Sequence, residues 1–200
     1  MKILLYGSSH LAAVSYERVK NEFDFVGHIP SRNARIPGII DLPVVEHPKD
    51  CPHDIKLSIQ YDKKIFDYKN AFNVHTGLLP EWGGGDILYH TIKNGEYEQG
   101  ITFHKMTDKF DYGPIISKIT YPVFEGDSVV DLYERMTNII PSFVHSSLKL
   151  LESVGLENID KCYKQVPKIF KREKDVGLPD LKEYKKMGNK LVALYGAQSG

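Results

Sequence analysis

Three polar residues in this chain are of types that do chemistry together: Asn73 and His75, two apart in an apolar run, and Asp111, in the loop that ends Asp111-Tyr112-Gly113. An amide N–H donates to an oxygen that becomes negative as a carbonyl is attacked. An imidazole carries protons, and a carboxylate orients and charges the imidazole. The combination suits catalysis. Each piece alone is ordinary, since Asn-x-His recurs by chance and Asp-Tyr-Gly more often marks a turn. What matters is whether the surrounding elements bring the three to one place.

Residues two apart on a strand point to the same side, so a strand over 71–74 that runs into His75-Thr76-Gly77 sends Asn73 and His75 toward one pocket. The rest of the pattern supplies a sheet to carry that strand. Strands are predicted at 2–6, 23–29, 55–60, 99–106 and 114–123, the last two antiparallel because the connection between them is short. Between strands, Leu11, Val14, Tyr16 and Val19 fit a first helix, and 86–92 fits a second. The strongest periodicity spans 128–154, capped by Asp127 or Ser128, ended by Gly155 and expected to kink at Pro141. A further helix is predicted at 181–194. The order reads as an α/β fold: a Rossmann-like twisted mixed β-sheet with helices on both faces. Residues 1–155 form the catalytic domain, and 156–200 form a C-terminal extension packed on it. In such sheets ligands bind at the carboxyl ends of strands, where both polar clusters fall.

Composition narrows the partners. Two hundred residues with 42% hydrophobic content are enough for one domain with a sizeable core, and 26 basic against 26 acidic residues leave no footprint for a phosphate backbone. No nucleic-acid partner is expected. The apolar opening at Met1 to Tyr6 is too short for a signal peptide or a membrane span, which points to the cytoplasm and to no membrane. Cys51 and Cys162 lack CxxC spacing and the eight histidines form no HExxH pair, so no metal site is expected.

The wider segments carry a resemblance. Asn73-Val-His-Thr-Gly-Leu-Leu-Pro80 resembles the Asn-x-His-x-Ser-Leu-Leu-Pro signature of the folate-dependent formyltransferases. Gly100-Ile-Thr-Phe-His-Lys-Met-Thr-Asp-Lys-Phe-Asp111-Tyr-Gly-Pro-Ile-Ile116 is similar to the family's Gly-Val-Thr strand, its loop with the catalytic Asp, and the strand that follows. The spacing of the two motifs, the strand before Tyr61 and Gly126-Asp127-Ser128 agree, so the resemblance covers roughly residues 1 to 155. It implies transfer of a formyl group from 10-formyltetrahydrofolate to an amine, with Asn73 and His75 stabilising the oxyanion, His75 also carrying the proton and Asp111 orienting it. The folate is implied to lie against Tyr61, Lys63, Lys64, Ile65, Met106, Thr107 and Asp108, the two lysines being departures from the pattern.

The acceptor side departs further. Glu81-Trp82-Gly83-Gly84-Gly85-Asp86 replaces the arginine usual after the Leu-Leu-Pro turn, and Trp82 is as well suited to packing in a loop as to stacking on a nucleotide. Ser8, Ser9 and His10 sit where a phosphate-binding turn would lie but lack its Gly-x-Gly, which disfavours glycinamide ribonucleotide. About forty-five residues after the long helix are too few for the barrel domain with which methionyl-tRNA formyltransferases hold tRNA. A nucleotide-linked amino sugar is thus the expected acceptor, and a homodimer is compatible with the sequence. The alternatives are a glycinamide ribonucleotide or methionyl-tRNA formyltransferase-like enzyme, a 10-formyltetrahydrofolate hydrolase and a non-catalytic folate-binding module.

Overall fold

The computed structural model describes residues 1–34, 37–161 and 165–171. The helix expected at 181–194, Cys162 and most of the tail lie outside the described residues. Strand β1 (Lys2–Tyr6) leads into helix α1 (His10–Val19) and strand β2 (Asp24–Ile29). After a 3-10 turn at Pro48–Asp50 come β3 (Ile55–Ile59), β4 (Ala71–His75), the two-residue β5 (Gly83–Gly84) and α2 (Ile87–Lys93). The hairpin β6 (Glu98–Lys105) and β7 (Ile115–Pro122) precedes α3 (Val129–Val154), a second 3-10 turn at Leu156–Lys161 and β8 (Ile169–Phe170).

Six strands form one mixed sheet in the order β2-β1-β3-β4-β6-β7, and β5 pairs with β8 in a separate ribbon. β2, β1, β3 and β4 run parallel to one another, while β6 is antiparallel to β4 and to β7. Alternation along the strands sorts the side chains onto two faces. Ile3, Leu5, Ile55, Leu57, Phe72, Val74, Ile101 and Phe103 meet residues of α1, α2 and α3 in the main core. Leu4 and Tyr6 turn the other way and pack with Ile29, Ile65, Val45, Cys51, Tyr61 and Met106. Residues of α1, α2 and α3 join the main core, while the loop residues Val45, Tyr61 and Ile65 pack on the face of Leu4 and Tyr6. That loop-covered face leaves room for a cleft.

Helix α3 holds the core face together. The Ser128 hydroxyl accepts from Asp131 N while the Asp131 carboxylate accepts from Ser128 N at 2.7 Å, a reciprocal capping box. Leu132, Met136, Ile140 and Leu148 are fully buried at helical spacing, each worth about 2 kcal/mol relative to exposure. The helix continues through Pro141 and ends at Gly155, whose φ of 79° suits a residue without a Cβ.

Candidate active site

Asn73 and His75 alternate along β4 with the core residues Phe72 and Val74, so both turn toward the loop-covered face. His75 ends the strand, and the segment after it is stapled back onto β6. Thr102 Oγ1 donates to the Gly77 carbonyl at 2.7 Å and accepts from Leu79 N at 3.0 Å, while Gln99 Oε1 accepts from Leu78 N at 3.0 Å. This fold-back brings the Trp82 carbonyl to 2.6 Å from His75 Nε2, which donates to it. A Cβ at Gly77 would stand 2.5 Å from that carbonyl and 2.8 Å from Nε2. Glycine at 77, where the family signature has serine, is thus tied to this contact.

With the proton on Nε2 committed to the Trp82 carbonyl, Nδ1 is left as the accepting nitrogen of His75, and it faces Asp111 Oδ1 at 3.6 Å. Asp111 has φ of 62°, the left-handed region that costs a non-glycine residue about 1–2 kcal/mol and that Asp tolerates better than most. Its Oδ2 accepts from Gly84 N at 2.8 Å, which leaves Oδ1 aimed at the imidazoles.

A second imidazole completes the cluster. His104 sits opposite Asn73 in the β4–β6 register and is 2% exposed. Its Nδ1 donates to the Lys105 carbonyl at 3.0 Å, so its Nε2 accepts from Asn73 Nδ2 at 3.3 Å. Nε2 also lies 3.6 Å from Asp111 Oδ1. Burial holds His104 well below the ordinary histidine range, down to about 4, against the opposing pull of the Asp111 charge. A neutral His104 engages one N–H of the Asn73 amide and leaves the other to a ligand.

These groups line one cavity of about 670 Å³. Tyr61, Lys63, Lys64, Ile65, Met106, Thr107 and Asp108 also line it, so the structure gathers the folate-side residues around Asn73, His75 and Asp111. The acceptor-side set is dispersed. Ser9 borders the cavity, but its hydroxyl caps α1 by accepting from Ala12 N. Ser8 Oγ accepts from Ser31 N at 2.8 Å, and His10 is buried at the start of α1, where burial lowers its pKa. Neither residue lines the cavity. The Trp82 ring stacks on Phe170 with centroids 4.6 Å apart, so this residue serves the site through its carbonyl. Sequence reasoning did not single out His104, Gly84, Tyr133 and the stretch from Gly85 to Tyr89 as lining this cavity; His104 is placed by the β4–β6 pairing and Gly84 by the β5–β8 pairing.

A second hollow, of about 630 Å³, lies beside Met1, Lys56 and Leu151, but the Lys56 ammonium there is already shared among Asp67 Oδ2 and the carbonyls of Asp67 and Lys69. Among the described residues no group of three or more His, Cys, Asp or Glu side chains is placed to hold a metal ion. No helix among them is long and apolar enough to cross a membrane.

Comparison with known proteins agrees with this geometry. The N-formyltransferase from Helicobacter canadensis, whose structure was determined with folinic acid and dTDP-3-aminofucose, superposes with a TM-score of 0.72 at 21% identity, over 88% of this chain and 72% of its own. The phosphoribosylglycinamide formyltransferase from Bacillus halodurans gives 0.64 at 18% identity, over 78% of this chain and 97% of its own. These likenesses establish the shared fold. In sequence, the methionyl-tRNA formyltransferase of Streptococcus pyogenes serotype M6 is 34% identical over 95 residues, a match that takes in 48% of this chain and 30% of the relative's length. The formyl transferase family model matches residues 65–146, a segment that runs from the end of the 61–65 loop through His75, His104 and Asp111 into α3.

Proposed function

We propose that this protein transfers the formyl group of 10-formyltetrahydrofolate to the amine of a small acceptor, with a nucleotide-linked amino sugar as the acceptor class. One observation carries the reading: Asn73, His75 and Asp111 converge in a cavity whose walls are the 61–65 and 106–111 loops. When bound, the folate supplies the electrophilic formyl carbon and a nitrogen leaving group.

The chain's own groups do the rest. The free N–H of Asn73 donates to the formyl oxygen, which becomes negative as a neutral amine adds to the carbon. His75 Nδ1 accepts the proton that the amine loses, and the imidazolium then donates from Nε2 to the Trp82 carbonyl while facing Asp111. Asp111 stabilises that cation and stays ionised. Returning the same proton to the folate nitrogen lets the carbon–nitrogen bond break, so His75 ends as it began. Removing one oxyanion donor from such a site typically costs two to three orders of magnitude in rate.

The complex with a dTDP-linked amino sugar in the Helicobacter canadensis relative supports the acceptor class. The 34% identity to a methionyl-tRNA formyltransferase supports a second reading, a tRNA-borne amine. The test is release of tetrahydrofolate with and without amino-sugar nucleotides, glycinamide ribonucleotide and methionyl-tRNA, each product being weighed for a formyl group. Formylation of a sugar nucleotide supports the first reading. Release at the same rate with no amine present identifies a hydrolase, and no release under any condition refutes the proposed activity.

A further inference from the structure

The chemistry proposed above needs the Asp111 carboxylate held on target, yet Asp111 sits in a turn whose backbone is in the left-handed region. That turn is pressed flush against β6: a Cβ at Gly113 would stand 1.6 Å from the Lys105 carbonyl oxygen. The carbonyls of Asp111 and Gly113 in this turn face one side chain. Both meet the side chain of Gln165, which is 4% exposed. Its Nε2 donates to Asp111 O at 2.8 Å and lies 3.4 Å from Gly113 O. Carbonyls only accept, so only the amide nitrogen serves here, and the orientation of the Gln165 amide is fixed.

Gln165 is itself anchored by the strap that follows it. Lys168 N donates to Pro80 O at 2.8 Å, Gly83 N to Lys168 O at 2.9 Å and Gly85 N to Phe170 O at 3.1 Å, while Phe170 stacks on Trp82. The strap thereby fixes β5, and Gly84 of β5 is the residue whose N–H holds Asp111 Oδ2. A Cβ at Gly84 would lie 2.1 Å from Phe170 O, so the two segments touch at backbone distance. One short segment therefore grips Asp111 at both ends: the carbonyl through Gln165 and the carboxylate through β8, β5 and Gly84. It also fixes Trp82, whose carbonyl holds His75. All of it lies beyond the segment, residues 65–146, that carries the family match.

We propose that Gln165 is a positioning residue that locks the Asp111 turn, so that the 165–171 strap completes the active site; this rests on the formyl-transfer reading above. Gln165→Met keeps the length of the side chain and removes the donor. The expected result is a kcat lower by roughly tenfold to a hundredfold, with folate affinity changed less than about threefold, because a small misplacement of a catalytic group costs rate before binding. The second measurement is a double-mutant cycle with Asp111→Asn. If Gln165 acts through Asp111, adding Gln165→Met to Asp111→Asn lowers kcat by less than about twofold further, whereas a general loss of structure multiplies the two losses.

The third measurement needs no turnover. The His75 ring nitrogen resonances should shift in Gln165→Met in the same direction as in Asp111→Asn. An inert wild-type protein refutes formyl transfer, and these resonances still judge the role of Gln165. If Gln165→Met does not fold, Gln165→Leu, which is smaller and likewise has no donor, is put through the same three measurements with the same expectations. Wild-type kcat, multiplicative losses in the cycle or unmoved His75 resonances would each overturn the proposal.

Discussion

The sharpest consequence of the site's construction is its response to acid, and His104 sets it. Burial lowers this imidazole from the ordinary 6.5 to about 4, so the unfolded chain takes up a proton that the folded chain refuses. Stability from this group is complete above about pH 6.5 and is lost as pH falls toward about 4. At about 1.4 kcal/mol per pH unit, that interval is worth about 3 kcal/mol, of which about 2 kcal/mol is lost between about pH 7 and pH 4.5. That is a large share of the roughly 5–15 kcal/mol that holds a domain folded. The perturbation is His104→Gln, whose side-chain oxygen still accepts from Asn73 and does not titrate. Burial also lowers His10 and His28, but both remain in the variant and cancel in the comparison. Urea unfolding of the two proteins across that pH range gives the difference directly. The wild type should lose about 2 kcal/mol more than the variant. Parallel curves, agreeing within about 0.5 kcal/mol, would mean that His104 is not held neutral by burial and that the account of its bond to Asn73 is wrong.

Three other outcomes are expected. Asn73→Ala should fold normally and lower turnover by roughly two to three orders of magnitude through loss of an oxyanion donor; a wild-type rate in steady-state kinetics would remove Asn73 from the mechanism. The stable 5-formyl analogue of the folate should raise the thermal midpoint, by about 2.7 kcal/mol of stabilisation at a hundredfold excess over Kd, whereas nicotinamide dinucleotides should not; the reverse pattern in a thermal-shift assay would point to a dinucleotide site. Ser128→Ala should destabilise the protein by about 1 kcal/mol in denaturant titration, because it breaks the capping box that starts α3, and an unchanged midpoint would show the box to be dispensable.

The elements were largely legible in the sequence because their signals are local. The six sheet strands appear within a residue or two of their expected bounds, and α3 starts at its serine and stops at its glycine. What local pattern does not encode is which side of the sheet a connection takes. Val45, Tyr61 and Ile65 come from connections without a helical period and pack on the face of Leu4 and Tyr6, whereas Ile40 and Leu42 of a neighbouring stretch pack with the main core. Leu150 fits the apolar stripe of α3 by spacing and is nonetheless exposed.

The site shows the same division between local and non-local information, with a consequence for how it works. Asn73 and His75 are readable as a pair because the period of a strand puts them on one side, and Asp111 is readable through its turn. His104 lies in plain view in the Gly100-Ile-Thr-Phe-His stretch, but its role exists only once β6 pairs with β4 in the register that sets it across from Asn73. Gln165 is more distant still, since its two carbonyl partners lie 54 and 52 residues away and nothing about an isolated glutamine announces them. The groups placed to touch substrate thus come from short motifs, while the groups that hold them come from long-range pairing. A substitution in the second set leaves every motif intact and still disturbs the geometry. Sequence motifs alone would score Gln165→Met as silent, whereas on the structural argument it costs roughly tenfold to a hundredfold in rate.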